Sequence, residues 1–88
     1  MEEVSEIARA AIFEIISNQI RDNNPREVRE TFERLLFEGH TEEGAMKLIG
    51  YAVTVEISEI MKNQKPFNEA RYIENLGKLP EMSWGEDE

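Results

Sequence analysis

Apolar residues recur every three or four positions in four blocks of the chain, a spacing typical of helices with one buried face. The first block, residues 2–22, contains the face Ala8, Ile12, Ile15 and Ile16, widened by Val4, Phe13 and Ile20. The second block, residues 25–38, presents Val28, Phe32, Leu35 and Leu36, and the last, residues 69–76, presents Tyr72, Ile73 and Leu76. Each of these blocks predicts an amphipathic helix.

The third block is ambiguous by composition. Residues 46–60 read MKLIGYAVTVEISEI, in which a strand-forming Val-Thr-Val triplet precedes a single carboxylate, Glu56. A half-buried strand would alternate apolar and polar residues, and this segment does not. On a helical wheel of about 100° per residue, one direction collects Ala45, Ile49, Ala52, Val53 and Ile60. The block therefore predicts a second long helix.

Two polar segments in the first half of the chain carry signals for helix ends. In residues 21–25, Asn24 is the predicted N-cap and Pro25 the predicted first helical residue. In residues 38–43, Gly39 is predicted to take the left-handed conformation that ends a helix, and Thr41 to cap the next one.

A third polar segment, residues 63–70, separates the long helix from the last short one. Pro66 interrupts the helix, Asn68 is the predicted N-cap, and Phe67 is placed to pack on Tyr72 as a hydrophobic staple. The order long, short, long, short with tight connections predicts an all-α fold, a small helical bundle of two long and two short helices. We expect one domain over residues 1–80 and an acidic tail, 81–88, which includes Trp84.

The charge balance limits the classes of partner that we expect the protein to bind. Nineteen acidic residues against ten basic ones give a net charge of −9, and the bases are scattered along the chain. Nucleic acids and anionic membranes are bound through clustered Lys and Arg, so we expect neither as a partner. The chain has no cysteine, no apolar run long enough for a bilayer, and acids where a secretory signal would be basic. We expect a cytoplasmic protein.

Polar residues interrupt two of the apolar faces. Glu56 lies near the middle of its stripe, and a buried carboxylate must be paired, protonated or open to a groove. On the first helix, Gln19 lies near the centre of the face and Arg9 at its edge, so both are candidate partners for Glu56. Either Glu56 makes a buried polar contact that fixes helix register, or it is a binding or catalytic group.

The sequence offers few other candidates for catalytic or phosphate-binding residues. His40 is the single histidine and is expected to be a loop residue, so no catalytic set is assigned and no cofactor is expected. Gly44 and Gly50 lack phosphate-loop spacing and are expected to allow close helix packing.

Paired carboxylates leave a Mg²⁺ site as a further alternative. The spacings Glu30-x-x-Glu33 and Glu56-x-x-Glu59 resemble the motifs of all-α nucleotide pyrophosphohydrolases. Those enzymes generally end the second motif in Asp, and the first pair here points away from its helix's apolar face.

Several apolar residues are additional to the one narrow apolar stripe that each helix needs for packing. They are Phe37, Phe13, Ile7 and Val55. Either the last short helix and the tail cover them, or they form a surface for self-association or a protein partner.

Residues 24–80 resemble the C-terminal part of an uncharacterised family of small bacterial cytosolic helical proteins, a domain of unknown function. The resemblance rests on RxxFERLL, the GHT-type turn, Glu56-Ile57, the Lys65-Pro66 break, and Tyr72-Ile73 with Leu76. It implies an all-α bundle and no activity. Relatives can carry histidines on the first and third helices, where this chain has Arg9, Phe13 and Lys47.

The leading functional prediction is a non-enzymatic, acidic helical protein that acts by self-association as a homo-oligomer or by binding a protein partner. Its interface would use the long helices, with Glu56, Arg9 and Gln19 as polar specifiers. The alternative is a small-molecule or Mg²⁺–nucleotide binding protein whose carboxylate groove includes Glu56.

Overall fold

Four helices make up the computed structural model, which describes the backbone of residues 2–82 and side chains from residue 6 onward. They are α1 (Glu2–Asp22), α2 (Arg26–Phe37), α3 (Glu42–Asn63) and α4 (Glu69–Lys78). Residues 2–82 contain no strand, so the predicted all-α bundle is confirmed. No helix in this range has the length and apolar character needed to cross a membrane. Most of the predicted tail, including Trp84, lies outside the described residues.

The predicted starts of α3 and α4 are confirmed by side-chain caps. The Thr41 hydroxyl accepts the Gly44 backbone N–H at 2.9 Å, and the Asn68 side chain accepts the Arg71 N–H at 3.0 Å. Each cap satisfies one backbone donor that the first helical turn leaves unpaired. The predicted staple also forms, since the rings of Phe67 and Tyr72 meet edge to face with centroids 5.5 Å apart.

The sequence predicted the C-terminus of α2 correctly and its N-terminus incorrectly. At the C-terminus Gly39 has φ +107°, its N–H bonds the Leu36 carbonyl, and the His40 N–H bonds the Leu35 carbonyl. This is a complete Schellman motif, as the glycine predicted. At the N-terminus the prediction is wrong, because Pro25 is the extended N-cap residue and no side chain caps the helix.

The core collects one set of side chains from every helix. Its fully or almost fully buried members are Ile16, Val28, Leu35, Ala45, Ile49, Ala52, Val53, Tyr72, Leu76 and Leu79. Burial of each large aliphatic member contributes about 1.5–3 kcal/mol. α3 supplies four of them and contacts all three other helices, so it is the central helix of the bundle. Met82, which follows the last helix, also packs against this core.

The predicted buried face of α1 is partly wrong. Ile16 is fully buried and Ile12 half-buried, but Ile15 is 42% exposed and Ala8 is exposed. The helix is apolar over more of its circumference than its neighbours cover, so periodicity alone could not choose the side that packs.

Gly50 marks the closest approach of α1 to α3. A Cβ atom at this position would lie 3.3 Å from Ile12 Cγ2, tighter than ordinary van der Waals contact. The prediction that Gly50 allows close packing is therefore confirmed. The same prediction for Gly44 is wrong, since a Cβ there would meet only the hydroxyl of its own capping residue, Thr41.

Candidate functional site

Glu56 is a fully buried carboxylate with three donors around it. Arg71 Nε donates to Oε2 at 2.6 Å, and Arg71 Nη2 donates to Oε1 at 3.0 Å. The backbone N–H of Asn68 adds a third bond to Oε1 at 3.1 Å. The two-pronged pairing of a guanidinium with a carboxylate is the strongest common ion-pair geometry, so the charge of Glu56 is compensated inside the fold.

This pair joins the centre of α3 to the first turn of α4. The Arg71 side chain is 35% exposed, whereas the Glu56 side chain is fully buried. The predicted partners are wrong, because Glu56 is paired with Arg71 and not with Arg9 or Gln19. A sequence signal for Arg71 does exist. A cation in the first turn of a helix opposes the helix dipole, which indicates a specific anionic partner.

Gln19 of α1 instead binds the buried tyrosine of α4. The Tyr72 hydroxyl donates to Gln19 Oε1 at 2.9 Å. Burial raises the pKa of the Tyr72 phenol, because the phenolate would lose its hydration in the core. The hydroxyl therefore keeps its proton and its hydrogen bond well into the alkaline range.

Arg34 of α2 holds the other end of α4. Its Nη2 donates to the Leu76 carbonyl at 3.1 Å, and its Nη1 donates to the Leu79 carbonyl at 3.0 Å and to Glu38 at 3.1 Å. The last carbonyls of a helix lack intrahelical donors, so a cation placed there satisfies them. The sequence analysis missed this role of Arg34.

These contacts together define what we call the α4 anchor: Glu56 with Arg71, Gln19 with Tyr72, and Arg34 with its two carbonyls. One contact comes from each of the other three helices. A ten-residue helix is too short to be stable by itself, and the anchor fixes its position and register. The chemistry of these residues is therefore structural.

A groove of about 480 Å³ opens between the N-terminal half of α1 and α3, and we call it the α1–α3 groove. From α1 it is lined by Ala8, Arg9, Ile12 and Phe13, and from α3 by Lys47, Gly50, Tyr51 and Thr54. Among the described lining residues the two that carry a charge are cations, in a chain where acids outnumber bases nineteen to ten. Arg9, predicted as a partner of Glu56, therefore belongs to this groove.

The same half of α1 presents a nearly continuous apolar surface. Residues 7–15 read IARAAIFEI, with Arg9 and Glu14 as the two charges, and no side chain in this segment is fully buried. Ile7 is 65% exposed, and Ala11 and Ile15 are exposed beside it on the same face. We call Ile7, Ala11 and Ile15 the outer row of α1, because their spacing of four residues aligns them.

The other predicted interface residues have different surroundings. Phe37 is 93% exposed at the end of α2, whereas Phe13 and Val55 are half-buried. α4, which was the alternative cover for this set, leaves both Phe37 and Ile7 open to solvent.

The described residues offer little to a metal ion. Residues 6–82 contain no group of three or more His, Asp or Glu side chains arranged to hold one. Among the carboxylates of the paired motifs, Glu56 is bonded to Arg71, and Glu33 pairs with Arg29 at 3.3 Å on the surface. Glu30 is exposed. His40 is half-buried in the turn that ends α2.

The chain matches no family model, no curated protein and no solved structure. The resemblance to a domain-of-unknown-function family therefore stays a prediction, and function must be argued from the geometry.

Proposed function

We propose that this is a non-enzymatic helical protein that works by self-association, with the outer row of α1 as the contact between two copies. The observation that carries the proposal is residues 7–15, an apolar helical segment without one fully buried side chain. Helices that are apolar on most of their circumference are normally covered. A domain of 88 residues also buries a smaller fraction of its unfolded surface than a larger domain does, and association is one way to bury more.

The pattern of the outer row favours a second copy of this chain as the cover. The row reads the same in both directions about Ala11, with an isoleucine four residues away on each side. An antiparallel pair related by a twofold axis would place Ile7 of one copy on Ile15 of the other, and Ala11 on Ala11. Such self-complementarity is what a twofold interface requires, and the small central residue lets the helices approach closely.

Molar mass measured by size-exclusion chromatography with light scattering, over a range of concentrations, tests the proposal. We expect a dimer that Ile15→Glu converts to monomer, since a carboxylate placed against the apolar side chain of the other copy costs at least about 2 kcal/mol. Phe37→Glu is the matched control, because it changes an apolar side chain that is still more exposed but lies on α2. A monomer at every concentration overturns the proposal.

Cysteine cross-linking tests the register directly, because the natural chain has no cysteine. Ala11→Cys should form a disulfide-linked dimer on mild oxidation. An Ile7→Cys chain should cross-link to an Ile15→Cys chain when the two are mixed, and less readily to itself. Equal cross-linking of Phe37→Cys would show that the contacts are random collisions.

The alternative function, a carboxylate groove that includes Glu56, gains no support from the geometry. That side chain lines neither the α1–α3 groove nor the smaller cavity beside α4, and both its oxygens are bonded to donors. The alternative stays a prediction without an observation in its favour.

A further inference from the structure

The α1–α3 groove lies on a different side of α1 from the outer row. With about 100° between successive residues, Ile12 and Phe13 point well away from the direction shared by Ile7, Ala11 and Ile15. Association through the outer row therefore leaves the groove open. The residues that line the groove therefore determine what it can bind.

The charge of the groove is opposite to that of the protein. Arg9 and Lys47 lie at its rim, and none of the described residues that line it is a carboxylate. In a protein of net charge −9, two cations among described lining residues that include no acid favour an anion at this site.

Both cations are available to a ligand. Within residues 6–82 Arg9 takes part in no ion pair, and its side chain is exposed. Lys47 has one exposed partner, Glu43, at 3.6 Å on the same helix. Exposed pairs of this kind contribute about 0.3–0.5 kcal/mol, so an incoming anion could displace Glu43 at little cost.

The remainder of the lining is mainly apolar. Ile12 and Phe13 are half-buried, and Ile12 packs closely against Gly50 on the α3 side. From Lys47 to Thr54 the lining extends along α3 for about 10 Å. A volume of about 480 Å³ falls in the range of small-molecule sites.

We propose that the α1–α3 groove binds a small organic anion with an apolar body, a medium-chain aliphatic carboxylate. The carboxylate would lie between Arg9 and Lys47, and the chain would lie against Ile12 and Phe13. Charge-assisted hydrogen bonds at the rim would set the orientation, and the apolar wall would supply affinity.

Titration of the isotopically labelled 88-residue chain with decanoate tests this proposal. We expect chemical-shift changes centred on Gly50 and Tyr51, and binding weakened about tenfold or more in the double variant Arg9→Gln/Lys47→Gln. The control variant Arg29→Gln, which removes an exposed cation on α2, should bind as the natural chain does. Added salt should weaken binding, and decanol should bind less tightly than decanoate.

Three outcomes would overturn the proposal. One is a set of shifts outside the groove, and another is equal binding of decanol and decanoate, which would show that the cations play no part. The third is binding of a synthetic acidic peptide, EMSWGEDE from residues 81–88, where decanoate fails. The Ile15→Glu variant should retain decanoate binding, so failure of the self-association proposal would be seen separately.

Discussion

The α4 anchor and the α1–α3 groove use the same kinds of residue in opposite ways. In the anchor, Arg71 and Arg34 are bonded to a buried carboxylate and to helix carbonyls. In the groove, Arg9 and Lys47 face solvent across an apolar wall. Polar groups with internal partners hold the fold together, while cations without buried partners are left to interact with something outside it.

Charge alone does not distinguish these two regions. The sequence leaves Glu56 as either a buried structural contact or a functional group, and in the structure it is a buried carboxylate paired with Arg71. The exposed Arg9 is interpreted from the sequence as a candidate partner of Glu56, yet in the structure it lines the α1–α3 groove. Four predictions test whether this division is real, from the largest expected effect to the smallest.

Removing the charge of Glu56 should have the largest effect. Glu56→Gln leaves Arg71 without its anion in a partly buried position, and breaking buried pairs typically costs about 3 kcal/mol of unfolding free energy. Urea unfolding of the two chains measures the loss. Glu43→Gln, which removes an exposed carboxylate, is the control and should stay within about 0.5 kcal/mol. A small loss for Glu56→Gln would refute the anchoring role.

Removal of the second anchoring cation should cost less. Arg34→Met removes a donor from both carbonyls; the Leu76 carbonyl keeps the Leu79 N–H at 3.2 Å, and the Leu79 carbonyl loses its Arg34 bond, a loss that costs about 1–3 kcal/mol for a buried acceptor. Arg29→Met, which breaks only an exposed pair on the same helix, should cost about 0.5 kcal/mol or less. Equal losses for the two variants would show that the contact with α4 contributes nothing.

Alkaline pH should weaken the anchor through Tyr72. Burial raises the pKa of this phenol, so above about pH 10 the unfolded chain loses a proton that the folded chain keeps. Stability is therefore undiminished by this group below about pH 10 and falls above it, by up to about 1.4 kcal/mol per pH unit. Tyr72→Phe should remove this slope in unfolding experiments, and Tyr51→Phe should retain it. The same slope in both variants would contradict the burial argument.

Loss of the groove cation Arg9 should have the smallest effect on stability. Arg9→Gln is expected to change the unfolding free energy by less than about 0.5 kcal/mol, because this side chain makes no ion pair with another described residue. The expectation is checked in the same urea series. A loss comparable to that of Arg34→Met would place Arg9 among the structural residues and remove the contrast between the two regions.

Local sequence was sufficient for the elements and most of their ends. The cap at Thr41, the cap at Asn68, the staple between Phe67 and Tyr72 and the left-handed Gly39 each depend on residues within six positions of one another. Interactions over so short a range leave a pattern in the sequence, which is why they could be predicted. The start of α2 is the exception.

Contacts between distant residues could not be predicted in the same way. The Glu56–Arg71 pair spans fifteen positions and the Tyr72–Gln19 bond fifty-three, so each depends on how one helix lies against another. Arg9 and Gln19 had the right chemistry to reach Glu56, and only the packing decided against them.

The amino-acid sequence by itself determined an acidic, four-helix, all-α chain, because helical periodicity and caps are local properties. The tertiary structure decided which side of α1 is buried, since that helix is apolar on most sides and any of them could have packed. It also decided that Glu56 pairs with Arg71 inside the fold, whereas Arg9 and Lys47 line an open groove. The physical reason is that pairing and exposure depend on the relative positions of helices, which no single segment specifies.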